Sequence, residues 1–77
     1  MHHLILYTRT GCHLCEKAKQ ALIELKKSIP FSFEEKDIAQ SDELTERYGL
    51  MIPVVEIDGE VAAYGRFNKF DISKRLQ

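Results

Sequence analysis

The chain contains no tryptophan, only two cysteines, two prolines and four glycines in 77 residues, and no marked excess of either charge. Each shortage excludes something. A single pair of cysteines three positions apart cannot form a disulfide scaffold, because the loop it closes is too short to stabilise a small fold much. Few prolines and glycines, with 44% hydrophobic and 30% charged residues, exclude disorder and low complexity. Eleven Lys plus Arg against twelve Asp plus Glu leave a formal charge of -1 with no basic block, so nucleic acid is not an expected partner. No apolar run approaches the roughly 18 residues of a membrane span, and Met1-His2-His3 leads into a strand-like segment rather than a signal peptide. A cytoplasmic protein without a membrane partner is expected. The length suits one small domain over residues 1–77, without repeat or linker and monomeric by expectation.

What is present reads as alternating strands and helices. Leu4-Ile5-Leu6-Tyr7-Thr8 is a short apolar run suited to a central strand covered on both faces. Leu14, Ala18, Ala21, Leu22, Leu25 and Ile29 then recur at steps of three and four, one apolar helical stripe that Pro30 should end. Phe31 to Ile38 reads as a more exposed strand at a sheet edge, parallel to the first because a helix joins them. Ser41 is a candidate N-cap for a short helix with Leu44, Tyr48 and Thr45 turned inward, stopping at Gly49. Val54 to Ile57 and Glu60 to Tyr64 flank Asp58-Gly59, a two-residue hairpin turn. Phe67, Phe70, Ile72 and Leu76 suggest a closing helix, so the order is β-α-β-α-β-β-α.

Cys12-His13-Leu14-Cys15 falls where the first strand hands over to the first helix. Unpaired N–H groups and the positive pole of the helix stabilise a thiolate at Cys12, drawing its pKa from about 8.5 toward a range of roughly 3.5 to 7.5. Arg9 and a protonated His13 would lower it further, while Glu16 would oppose the anion. The thiolate is the species that attacks a disulfide. Cys15, one helical turn on, can reach Cys12 and resolve the mixed disulfide. Against this chemistry stands the reading of both cysteines as small buried hydrophobes. Zinc is disfavoured because four ligands are needed and only one such pair exists.

The strand, the run Tyr7-Thr8-Arg9-Thr10-Gly11-Cys12-His13-Leu14-Cys15, the helix after it and Ile52-Pro53 before the hairpin together resemble a glutaredoxin-like member of the thioredoxin superfamily over nearly the whole chain. The resemblance implies a thioredoxin-like α/β fold, βαβαββα, with a four-stranded mixed sheet flanked by helices. It also implies a cis peptide bond at Pro53 facing the nucleophile, with Ile52 offering its backbone groups to an extended substrate. Without the resemblance Pro53 would be read as an ordinary trans proline at a strand start. Arg9 matches a position that pairs with the glycyl carboxylate of glutathione, although an arginine in a loop is equally often merely solvated.

Two departures from the family pattern matter. His13-Leu14 replaces the usual Pro-Tyr between the cysteines, and Ala63-Tyr64-Gly65-Arg66-Phe67-Asn68 lacks the Gly-Gly and acidic residues that hold the glutathione amino terminus. Both count against glutathione as reductant, and no tightly bound cofactor or metal is expected. The reading that follows is a dithiol thiol-disulfide oxidoreductase acting on a protein or low-molecular-weight disulfide and recycled by a thiol reductant or a thioredoxin-reductase-type enzyme. A cluster-bridged iron-sulfur module and a non-catalytic thioredoxin-fold adaptor are the alternatives. His2 and His3 read as a solvated terminus rather than a metal site, and Tyr7 and Tyr64 as core residues.

Overall fold

The computed structural model describes residues 1–77. Four strands, β1 (His2–Thr8), β2 (Phe31–Asp37), β3 (Val54–Ile57) and β4 (Glu60–Tyr64), form one sheet in the order β2-β1-β3-β4. β1 pairs parallel with β2 and antiparallel with β3, and β3 pairs antiparallel with β4, so the sheet is mixed with β1 inside and β2 at an edge. Three helices, α1 (His13–Lys26), α2 (Asp42–Tyr48) and α3 (Lys69–Leu76), cover it. The architecture is thioredoxin-like.

Alternation in the strands decides which helix covers which face. Leu4, Leu6, Phe31, Val55 and Ile57 point to one side, where they pack on Ala18, Leu22 and Leu25 of α1 and Ile72 and Leu76 of α3. Tyr7 and Val54 point to the other, where they meet Ile38 and Tyr48 and the half-buried Leu44, Met51 and Ile52. The first cluster is the main core. At about 25 cal/mol per Å2 of apolar surface, each fully buried Leu or Ile in it contributes roughly 1.5–3 kcal/mol.

Local signals hold at most boundaries. The Ser41 hydroxyl accepts from the Leu44 N–H and caps α2, and Asn68 and Asp71 form a reciprocal capping box at α3. The Asp58-Gly59 turn has positive φ at both residues, 51° and 88°, as a type I′ hairpin requires. The Asp58 carboxylate accepts the His3 N–H at 2.9 Å and pairs with His2, tying the turn to the start of β1. Both histidines thus belong to a strand that begins at His2, and His3 also pairs with Glu34 at 3.2 Å.

Four expectations need correction. α1 ends at Lys26, before Pro30, because proline disfavours helical backbone at Ile29 and the last N–H groups, of Lys27 and Ser28, tighten to i→i−3 bonds. Ile29 still packs against the main core. Thr45 faces solvent, although its hydroxyl donates to the Ile38 carbonyl at 2.8 Å. Phe70 is exposed at the second position of α3, and Tyr64 is 52% exposed on the outer strand β4, which no further strand covers.

Candidate active site

Gly11, with φ of 85°, turns the chain out of β1, and the Cys12 N–H closes the turn on the Arg9 carbonyl at 3.1 Å. Cys12 then takes the N-cap position of α1 in extended conformation, where its Sγ accepts the Cys15 N–H at 3.2 Å. A sulfur here occupies the place usually held by a Ser or Asp oxygen, so negative charge on it is stabilised by the same orphan N–H group that a cap satisfies. Cys15 lies one turn inside with 3% of its surface exposed, and Cys12 is half-buried. The two sulfurs are joined as a disulfide, with Cα atoms 5.2 Å apart.

The Ile52–Pro53 peptide bond is cis. Val54 pairs with Tyr7, so continuing the antiparallel register by one residue sets Pro53 opposite Thr8, at the sheet end from which the loop to Cys12 departs. This segment is held on both sides. The Gly65 N–H, at the end of β4, approaches the carbonyls of Met51 at 3.0 Å and Pro53 at 2.9 Å, and the Met51 and Ile52 N–H groups donate to the Tyr48 carbonyl at 2.8 and 3.1 Å. The Ile52 carbonyl is therefore left without a backbone partner, whereas its N–H is occupied by the end of α2.

Arg9 and His13 are exposed on either side of Cys12, His13 at the first position of α1. Arg9 lines a polar cleft of about 670 Å3 on the β2 side of the loop. In that cleft the Thr8 hydroxyl donates to Glu35 at 3.3 Å, and Glu35 pairs with Lys19 of α1 at 3.2 Å. Arg66 lies elsewhere, in a groove of about 320 Å3 between α1 and the start of α3. The two arginines thus serve separate cavities.

Sequence reasoning missed one group. Glu56 of β3 is 8% exposed, and its carboxylate accepts the Tyr7 hydroxyl at 3.0 Å and the Tyr48 hydroxyl at 2.6 Å. The tyrosine rings pack with centroids 4.8 Å apart, and Arg47 lies over the Tyr48 ring while donating to its oxygen at 3.0 Å. Burial, then the hydrogen bond and charge of Glu56, push the Tyr7 phenol up to about 12 and the Tyr48 phenol in the same direction. This network ties α2 to the sheet just before the Ile52–Pro53 segment. An acidic residue inside an otherwise apolar strand, with tyrosines on two other elements, was the signal available. No three His, Cys, Asp or Glu side chains converge as metal ligands would, and no helix is long and apolar enough to cross a membrane.

A mixed four-stranded sheet with a Cys-x-x-Cys pair at the start of its first helix defines a glutaredoxin-like protein of thioredoxin fold. Residues 3–77 match the family described as glutaredoxin-like domain (DUF836), and the chain belongs to that family. A solution structure of a Nitrosomonas europaea protein superposes with a TM-score of 0.86 at 28% identity, covering 99% of this chain and 92% of that one. A crystal structure of an X. campestris protein gives 0.77 at 31% identity, with 95% and 93% covered. A malarial protein gives 0.74 at 11% identity over 99% and 93%, a likeness of fold alone. Family and cysteine pair together are compatible with a redox role.

Proposed function

We propose that the chain is a dithiol thiol-disulfide oxidoreductase in which Cys12 attacks and Cys15 resolves. The observation that carries this reading is the asymmetry of the pair: Cys12 caps α1 with its sulfur on the Cys15 N–H, whereas Cys15 is buried one turn below. In the reduced protein the Cys12 thiolate attacks one sulfur of a substrate disulfide. The substrate S–S bond breaks, a Cys12–substrate bond forms, and the first substrate half leaves as a thiolate that takes a proton from water. Cys15 then loses its proton and attacks the Cys12 sulfur, expelling the second half as a thiol and leaving the Cys12–Cys15 bond. Two electrons pass from the dithiol to the substrate, and an external thiol restores the reduced pair.

The Ile52 carbonyl, free of any backbone partner and one residue from the cis proline, is suited to accept one hydrogen bond from an extended substrate. Glutathione fits less well as the reductant, since Arg9 and Arg66 line different cavities and Arg66 would face the ammonium at one end of the tripeptide. A single-turnover experiment tests the chemistry. Reduced protein mixed with one equivalent of 2-hydroxyethyl disulfide, quenched with acid and weighed by mass spectrometry, should lose two hydrogens as two equivalents of mercaptoethanol appear. Protein that stays reduced under these conditions would refute the proposal.

A further inference from the structure

The groove beside α1 has an unusual lining. Leu14, Ala18 and Phe67 provide apolar surface, and the cations Lys17 and Arg66 are part of its wall. Neither cation is paired, because the four ion pairs of the molecule engage His2, His3, Lys19 and Lys69. The one acidic group in the lining, Asp71, accepts the Asn68 N–H at 3.0 Å within the α3 capping box and offsets one of the two cations, leaving the groove with an excess of one positive charge. Leu14 lies between the two cysteines in sequence, so the groove begins within one helical turn of Cys12. An open groove of about 320 Å3, its wall part apolar and part polar with two unpaired cations, is sized for a small organic anion.

We infer that this groove selects low-molecular-weight disulfides whose halves carry a carboxylate and no ammonium, the methylenes lying on Leu14, Ala18 and Phe67 and the carboxylate meeting Lys17 and Arg66. The inference rests on the exchange chemistry proposed above and names its substrate class. Arg66 is suited to a carboxylate by its planar fork of donors. At the water-exposed limit each cation in contact with the carboxylate is worth about fivefold. The attraction is long-ranged at low salt and is screened to about 3 Å at 1 M.

Two measurements test it, and only one needs disulfide exchange. In the first, reduced protein is alkylated at Cys12 by anionic iodoacetate and by neutral iodoacetamide, and the rate ratio is compared with that of the Lys17→Glu, Arg66→Glu double variant. In the second, single-turnover oxidation is followed with 3,3′-dithiodipropionate, 2-hydroxyethyl disulfide and cystamine, each constant being divided by that of the neutral disulfide for the same protein. The double variant should lower the iodoacetate ratio, and should lower the dithiodipropionate-to-cystamine ratio by about tenfold or more. For the wild-type protein 1 M salt should act in the same direction. Ratios within twofold of wild type in the double variant would overturn the assignment of the groove. Failure of all three disulfides to oxidise the protein would instead refute the exchange chemistry, and the alkylation ratio alone would then decide whether the groove favours anions.

Discussion

Cys12 and Cys15 have the same side chain and opposite surroundings. The Cys12 sulfur meets an N–H group at the positive end of α1, and that environment favours the anion. Cys15 is buried in the first turn of the same helix, and burial favours the neutral thiol. Reduced protein at pH 7 should therefore alkylate at Cys12 at least about tenfold faster than at Cys15, as read by peptide mapping after a timed iodoacetamide quench. Equal rates would remove the basis for giving the two sulfurs different roles. Residue by residue, the sequence carried Cys12 because capping depends on a local spacing, a strand followed by a turn and a helical stripe. It could not carry the loss of the Ile52 N–H to the Tyr48 carbonyl, since that bond depends on how α2 is set against β3.

Among the elements, β3 and α2 hold the least predictable part of the molecule. All four residues of β3 are buried, so the strand shows no in-and-out alternation, and although Glu56 stands out by its charge among apolar neighbours, nothing local shows that it is buried or what it pairs with. Its partners Tyr7 and Tyr48 come from β1 and α2 and are identified only once those elements are packed. Conversely, the Asp58-Gly59 turn and the Ser41 cap were legible because a few adjacent residues determine each. The tyrosines give this region a pH signature. With Tyr7 raised to about 12 in the fold and its ordinary value near 10, the unfolded chain loses the phenolic proton first. Stability from this group is thus complete below about pH 10 and is lost as pH rises toward 12, by on the order of 3 kcal/mol at about 1.4 kcal/mol per unit. Tyr48 acts in the same direction. Urea unfolding at pH 8, 10 and 11.5 should show this loss in the wild-type protein and a smaller one in Tyr7→Phe. The variant should also be weaker at pH 8 by roughly 1.5–3 kcal/mol, the value of a hydrogen bond to a charged group. An unchanged alkaline slope in Tyr7→Phe would assign the loss to other groups.

For the molecule as a whole, strand direction gathers the chemistry at one end. β1 runs toward Thr8 and Cys12, β3 starts there after Pro53, and β4 ends there at Tyr64, so antiparallel pairing brings Gly65 onto the carbonyls of Met51 and Pro53. Hydrophobic periodicity and the hairpin turn made this order of elements readable in advance. The side on which Arg9 and Arg66 open was not readable, because it depends on the packing of α1 against α3 and on the turn at Gly65. The function proposed for this end is disulfide exchange in a fixed order, Cys12 first and Cys15 second. Its most direct test is to mix Cys15→Ser and Cys12→Ser separately with a small disulfide and measure covalent adducts under non-reducing conditions by mass spectrometry. Cys15→Ser should hold a stable mixed disulfide on Cys12, and Cys12→Ser should hold little or none. Equal trapping by both variants, or preferential trapping on Cys15, would contradict it.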